Sequence, residues 1–503
     1  MMSASDKSIS IRMSMGLRDD ASGDMVRQPV VFPREPGILQ LLMIGLVQKG
    51  SLGLMERPKT KKGTYFIQTW GCQMNEEDSE QMALHLRDLG YEPTDSIHEA
   101  QVILLNTCSV RKKPEDKAFS MMGELIPTKR ARPDTIIGVC GCMAQARAEE
   151  IHRRAPHIDF VLGTGDLGML PGLVAEAAQK KRFQMRTDLP ERKGRVVTDV
   201  PQRHLGRIPK LKSFVPIQYG CDKFCTYCIV PTTRGRERSR PTEDILEECR
   251  RLAENGTKEI SLLGQTVNSY GKNLLEGRVP FSELLWRVAD IPGIERIRYT
   301  SPYPRDFRDD LIEAIRDCPK VMEHVHLPIQ SGDDEVLQRM KRVYTMESYM
   351  EIVGRLRAAV PDIGITTDVI VGFPGETEAQ FEATVAAFER IRFDGAYMFA
   401  YSIRPDTPAG DDPDQVPEVD KKRRLNTLID LQNRITQERN EAQIGRIAEV
   451  LIEGPSPKDP ARLQGYTRDF RMVHFAGSPD RSGRLAQVRL DTAHRWGLNG
   501  EAV

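Results

Sequence analysis

The chain has 503 residues, enough for two or three domains, and its 72 Lys+Arg balance 72 Asp+Glu. That neutrality excludes a globally basic nucleic-acid binder, so any such partner must be met by local patches. Nine cysteines in a chain of this length are too sparse for a disulfide framework, and their grouping points to metal or redox chemistry in a reducing, cytoplasmic setting.

Residues 1–62 are expected to form a poorly ordered extension, in which several internal methionines could serve as starts. The most apolar early stretch, Gly37–Val47, is short and interrupted by Gln40, so no membrane span is expected. The charged start and small-residue cleavage site of a signal peptide are also missing.

Over 63–180 three β-rich apolar runs each end in a thiol: Tyr65–Cys72, Val102–Cys108 and Thr135–Cys142. Helical patterns, Glu77–Leu89 and Pro114–Leu125, lie between them. Alternating strands and helices imply a parallel α/β sheet with right-handed crossovers, whose strand carboxyl ends share the edge where ligands sit. Cys72, Cys108 and Cys142 therefore converge on one crevice and are candidate ligands of an iron–sulfur cluster. The competing reading is three separately buried cysteines. Strand alternation puts Cys140 and Cys142 on the same side, and Cys142 is preferred because it follows Gly141 in the loop. Cys249, on a helical pattern, and Cys318, before Pro319, read as structural.

Residues 181–206 turn basic and loop-like, as in Arg192–Arg195, and read as an interdomain linker. Strand-and-helix units then run over 207–437, with strands at Phe214–Gln218, Glu259–Leu263, Arg296–Thr300, His324–Pro328, Gly364–Val371 and Gly395–Ala400. Units in such a series make an open or partial β/α barrel, with the active site on the loops after its strands.

The first of those loops carries Cys221-Asp-Lys-Phe-Cys225-Thr-Tyr-Cys228. Three thiolates on one short loop can hold three irons of a 4Fe-4S cubane and leave the fourth open. An open iron can chelate the amino and carboxylate groups of S-adenosylmethionine and pass one electron to its sulfonium, which yields a carbon radical. Zinc would ask for paired knuckles or four ligands in reach, and the loop holds no fourth Cys or His. Tyr227 can contact the adenine of the cofactor or be core. Gly264 and Gln265, directly after a strand, and Gly372, in a Gly- and Pro-rich turn, are further cofactor-binding candidates because backbone there can approach a ligand closely. His324 and His326 read as satisfied core histidines. The run Thr233–Arg240 is either a solvated charged face or a contact to a phosphate or cofactor carboxylate.

From 440 to 503 short strands at Gly445–Gly454, Leu463–Phe475 and Leu485–Leu490 read as a small β-barrel. Tyr466, Arg468, Phe470 and Arg471 interleave rings with charge and suit base stacking with backbone contact; an ordinary structural barrel is the alternative.

Gly71-Cys-Gln-Met-Asn75, Asn106-Thr-Cys108, Gly141-Cys-Met-Ala-Gln145 and Gly220–Pro231 together resemble the radical S-adenosylmethionine methylthiotransferase family. Gly264–Tyr270, His326–Gly332 and Tyr401–Ala409 resemble its tRNA-modifying bacterial branch, and the likeness runs from about Gly63 to the C-terminus. The resemblance implies a central barrel of the radical SAM type and a C-terminal TRAM-like, tRNA-binding module. It implies an auxiliary 4Fe-4S cluster on Cys72, Cys108 and Cys142 and a radical 4Fe-4S cluster on Cys221, Cys225 and Cys228. The implied reaction places a methylthio group on carbon 2 of an isopentenylated adenosine in the anticodon stem-loop, using two S-adenosylmethionine molecules, an external electron donor and a sulfur source. A monomer is expected. Sister enzymes that act on threonylcarbamoyladenosine in tRNA or on a ribosomal protein share both clusters, and the loop with Gln265 and Asn268 favours the isopentenyl substrate. A nonenzymatic iron–sulfur or RNA-binding protein is the reading from another class. One departure is Leu463-Gln-Gly-Tyr-Thr-Arg-Asp469, where the family more often has Arg before the Thr.

Overall fold

Central strands without a polar face identify the first layer. In the computed structural model, Val102–Thr107 is buried at every position, as a strand covered by helices on both sides must be. The described residues are 62–503 except 110–111, 181, 191–199, 202, 205, 207 and 275–276. Residues 1–61 of the expected extension and Arg192–Arg195 of the expected linker lie outside them.

Strands β1 (Gly63–Trp70), β2 (Tyr91–Pro93), β3 (Val102–Thr107), β4 (Ile136–Cys140), β5 (Phe160–Leu162) and β6 (Gln184–Arg186) form one sheet in the order β2-β1-β3-β4-β5-β6. Every pairing is parallel. The register aligns Trp70 with Thr107 and Asn106 with Cys140, so three adjacent strands end at one level.

The second layer is a half-open barrel. Its strands are β7 (Lys212–Pro216), β8 (Gln218–Tyr219), β9 (Arg238–Ser239), β10 (Glu259–Leu263), β11 (Arg296–Tyr299), β12 (His324–His326), β13 (Gly364–Val371) and β14 (Gly395–Ala400). Parallel sheets β11-β10-β7 and β12-β13-β14 meet through a bridge from Ile297 to Val321, while β8 and β9 form a small antiparallel pair. Alternation along β13 buries Ile365, Thr367, Val369 and Val371 and leaves Thr366 and Asp368 partly exposed. His324 and His326 both share the Thr366 hydroxyl, at 3.0 Å each, and His326 also meets Asp368 at 3.2 Å. Both histidines are thus satisfied within the fold.

A closed barrel, β15-β16-β17-β19-β18, ends the chain: β15 (Ile447–Pro455), β16 (Arg462–Thr467), β17 (Met472–Ala476), β18 (Leu485–His494) and β19 (Gly497–Ala502). The expected strand Leu463–Phe475 is two strands joined by a turn, in which Phe470 takes a φ of 70°. That turn corrects the base-stacking reading of Tyr466, Arg468, Phe470 and Arg471. Tyr466 and Phe470 stack on each other at 4.8 Å, Phe470 also covers His324, and Arg468 pairs with Glu323. Arg471 pairs with Asp394 and Asp469. From the other side Arg296 and Arg298, near the start of β11, donate to the carbonyls of Tyr466 and Thr467 at 2.6 and 2.8 Å. The hairpin tip is docked against the amino ends of the half-barrel strands, where its arginines find carboxylate partners, while Phe470 stays 37% exposed.

Candidate functional site

The carboxyl ends of both sheets carry the thiols. Cys221, Cys225 and Cys228 follow β8 on a loop that leaves through Gly220, whose φ is 70° and where a Cβ would collide with the carbonyls of Gly235 and Arg236. The neighbouring barrel loops hold this one in place: Thr226 N–H donates to the Met340 carbonyl at 3.2 Å, and Ala409 N–H to the Thr226 carbonyl at 3.0 Å. Burial pushes the Cys221 and Cys228 thiols up to about 12, with Cys225 adding to both. Binding a metal must therefore displace protons from a desolvated site.

Arg342 places a cation at the sulfur of Cys225. It is buried, donates to Cys225 Sγ at 3.5 Å and lies over the rings of Tyr303 and Tyr344. Tyr227 packs beside Phe373, Met340 and Tyr401, and burial holds its hydroxyl well above the usual phenol range. Phe373 follows Gly372, whose φ of 69° and contact with the Lys421 stem leave no room for a side chain, so that loop adjoins Tyr227. Gly264 sits against Gln218, which opens the cysteine loop; Gln265 follows it, half-buried.

Cys72, Cys108 and Cys142 stand just past the aligned ends of β1, β3 and β4. Cys142 starts a helix after Gly141, whose φ of 89° and contact with Asn106 Oδ1 and the Thr107 carbonyl require glycine. Asn106 in turn donates to the Asn75 carbonyl and to Ser79 Oγ at 2.8 Å each, tying the ends of β1 and β3 together. Cys140 packs instead among Met82, Leu86, Phe160 and Leu162 on the helix-covered side, where burial raises its thiol strongly. The two cysteines thus have different surroundings, despite the alternation that placed them together.

The segments that carry the two thiol sets pack on each other across a buried interface. Cys72 packs beside Tyr219 and Leu263, which precede Cys221 and Gly264. The helix Gln73–Asp88 buries Asn75, Glu77, Asp78, Glu80 and Gln81 as well as Met74, Met82, Leu84 and Leu86, and cations from beyond the N-terminal sheet supply the partners. Arg203 bridges Glu77 and Glu248, the latter at 3.0 Å. Lys210 pairs with Glu80 at 3.0 Å and Arg404 with Glu115 at 3.1 Å. Arg234 pairs with Asp78 at 2.7 Å. Burial opposes the charge on Arg234, but Asp78, Cys142 and Cys72 outweigh it and hold the guanidinium well above its ordinary value.

The run Thr233–Arg240 is accordingly neither a solvated face nor, for three of its arginines, an open phosphate site. Arg234, Arg238 and Arg240 are buried, the last paired with Glu248 at 2.7 Å, and only Arg236 is exposed, on Asp222. Sequence reasoning missed Arg342 and the Asn75–Asn106 tie, and gave Arg234 another role. The available signal was the helix after Cys72: acidic residues at 76, 77, 78 and 80 on a segment that must pack ask for cations elsewhere in the chain.

No three His, Cys, Asp or Glu side chains among the described residues close on a single ion. A cubane takes its thiolates at separate irons and so holds them farther apart than one ion does. Two sets of three thiols, each beside a glycine of positive φ and the first with a buried arginine at sulfur, fit such a group in donor chemistry.

The Radical SAM superfamily model matches residues 215–388, the uncharacterized protein family UPF0004 model matches 64–163, and the TRAM domain model matches 441–503. The chain is 48% identical over 442 residues to a tRNA-2-methylthio-N(6)-dimethylallyladenosine synthase of Moorella thermoacetica, covering 88% of this chain and 98% of that one. It belongs to that family of radical SAM methylthiotransferases. The synthase of Geobacillus kaustophilus is 46% identical over 87% of this chain and 82% of its own. Among solved structures, the radical S-adenosylmethionine methyltransferase TsrM of Kitasatospora setae aligns over 68% of this chain and 72% of its own, with 15% identity and a TM-score of 0.49. Membership of the radical SAM superfamily implies a 4Fe-4S cluster and S-adenosylmethionine. No described helix is long and apolar enough to cross a membrane.

Proposed function

We propose that this protein is a transferase that places a methylthio group on carbon 2 of N(6)-dimethylallyladenosine beside the anticodon of tRNA. The near full-length match to a named synthase carries the reading. In it, Cys221, Cys225 and Cys228 hold the radical 4Fe-4S cluster, and Cys72, Cys108 and Cys142 hold an auxiliary one. Residues 63–180, 207–437 and 440–503 are the auxiliary-cluster, radical SAM and tRNA-binding domains, joined by the linker 181–206.

When bound, the radical cluster and S-adenosylmethionine supply a carbon radical able to attack an aromatic C–H, and the auxiliary cluster supplies sulfur. Tyr227, Gly264, Gln265 and Gly372 line the cofactor on two sides of the cysteine loop. Arg342 holds Cys225 in one orientation through its N–H, and the buried interface around Arg203 and Arg404 keeps water from the space between the two thiol sets. A second S-adenosylmethionine, an external electron donor and a sulfur source complete the reaction, and the enzyme works as a cytoplasmic monomer.

The test is anaerobic incubation of reconstituted protein with reductant, S-adenosylmethionine and isopentenylated tRNA, followed by mass spectrometry of the digested nucleosides. A methylthio product on the isopentenylated adenosine is expected. Cofactor cleavage without that product would refute the substrate assignment, and threonylcarbamoylated tRNA would be tried next.

A further inference from the structure

Buried arginines elsewhere in the chain meet carboxylates: Arg203, Arg234, Arg240 and Arg404 pair with Glu77, Asp78, Glu248 and Glu115. Arg342 is only 8% exposed, yet no carboxylate among the described residues pairs with it. Its Nη1 donates to Cys225 Sγ at 3.5 Å and its Nε to the Tyr344 hydroxyl at 3.2 Å. The guanidinium lies 4.5 Å from the centre of the Tyr303 ring and 5.2 Å from that of Tyr344. Two ring faces, a phenol oxygen and a sulfur thus meet this charge, and none of them is an anion while the thiol keeps its proton.

Backbone geometry puts the cation there. The helix Asp334–Arg339 ends in a paired turn, in which Lys341 N–H donates to the Gln338 carbonyl at 2.9 Å and Arg342 N–H to the Leu337 carbonyl at 2.8 Å. Such a turn needs one left-handed residue, ordinarily glycine, and Lys341 takes that place with a φ of 55°. The last carbonyls of the same turn grip the cysteine loop. Thr226, next to Cys225, donates from its hydroxyl to the Arg339 carbonyl at 2.9 Å and from its N–H to the Met340 carbonyl at 3.2 Å. One turn therefore fixes both the cation and the sulfur it faces.

A desolvated cation without an anion is costly, and thiolates that hold a cluster supply the missing charge. Reduction adds negative charge to such a cluster, and a nearby cation favours that step. We propose that Arg342 is the counter-ion of the site made by Cys221, Cys225 and Cys228: a positioning residue that fixes Cys225 and, by its charge, eases reduction of the group the thiolates hold. The proposal rests on reading these three cysteines as cluster ligands. A purely structural clamp would lower stability when broken and leave the reduction potential where it was.

The experiment uses the full chain with Cys72, Cys108 and Cys142 changed to Ala, so that only the Cys221–Cys228 loop can load. It is reconstituted anaerobically with iron and sulfide, and its midpoint potential is followed by EPR without S-adenosylmethionine. Arg342→Gln is expected to make reduction about tenfold less favourable, a shift of about 59 mV to more negative potential for one electron. Arg342→Lys, which keeps the charge and loses the fork, should shift less. Arg342→Met, whose apolar stem suits a pocket of two tyrosine rings, replaces Arg342→Gln should that variant not load. If neither neutral variant loads while Arg342→Lys does, assembly itself needs the charge and the proposal stands. Loaded neutral variants that keep the parent's midpoint, or failure of all three variants to load, would overturn it and leave the ligand reading intact. Unchanged midpoints with weaker binding of S-adenosylmethionine would overturn it too, and assign the guanidinium to the cofactor's carboxylate. A parent that assembles no cluster would overturn both readings.

Discussion

Cys221, Cys225 and Cys228 lie on one loop, whereas Cys72, Cys108 and Cys142 come from the ends of three strands. Chain connectivity makes the first set, so it needs only a glycine at its entrance and neighbouring loops to brace it. The second exists only once β1, β3 and β4 have paired in register, and it depends on Asn75, Asn106 and Gly141. A local site can be lost by changing its ligands; an assembled one can be lost by changing residues that never touch the group it holds.

Ligand removal gives the largest separation between the two sets. Cys225→Ala should abolish reductive cleavage of S-adenosylmethionine, while Cys142→Ala should keep cleavage and lose methylthio transfer, both read by mass spectrometry. If Cys142→Ala also stopped cleavage, the sites would not be separable. Next comes the interface: Arg203→Leu leaves Glu77 and Glu248 buried with one charge partner fewer, at a cost of about 3–5 kcal/mol. Denaturant unfolding would show that loss, and iron analysis should show the auxiliary site depleted before the radical one. Gly141→Ala strains a left-handed backbone and meets Asn106, at about 1–3 kcal/mol, and iron bound in the Cys221, Cys225, Cys228 triple Ala background should fall with it. The smallest effect is expected of Cys140→Ala, about 1 kcal/mol of lost packing with iron content unchanged; a drop in iron would return Cys140 to the ligand set.

The same contrast explains what could be read from the chain. Strands Glu259–Leu263, Gly364–Val371 and Gly395–Ala400 stand where the apolar patterns put them, as short β-rich runs bounded by turn residues should. The cysteine loop was legible from spacing alone, and the three strand ends from the alternation of strands with helices. Charge was misread. Arg234, Arg238 and Arg240 look like a solvated run until Asp78 and Glu248 are brought to the buried pairs, and a salt bridge between distant segments leaves no periodic trace. The turn Tyr466–Arg471 had the composition of an RNA-facing loop, yet Asp394, Glu323 and His324 are partners of its side chains. Composition tells what a side chain can bind, whereas topology decides what it reaches.

The docked hairpin has a consequence for truncation. Arg296 is wholly buried, and its acceptors are the Tyr466 and Glu449 carbonyls and the Glu449 carboxylate; Arg298 donates to the Thr467 and Arg468 carbonyls. Cutting the chain before Ile447 would strip both guanidinium groups of those acceptors and uncover them at the foot of the half-barrel, leaving Glu259 as the partner of Arg298. The terminal barrel is therefore no detachable tail: a truncation meant to remove an RNA-binding appendage would uncover part of the enzyme's own foundation.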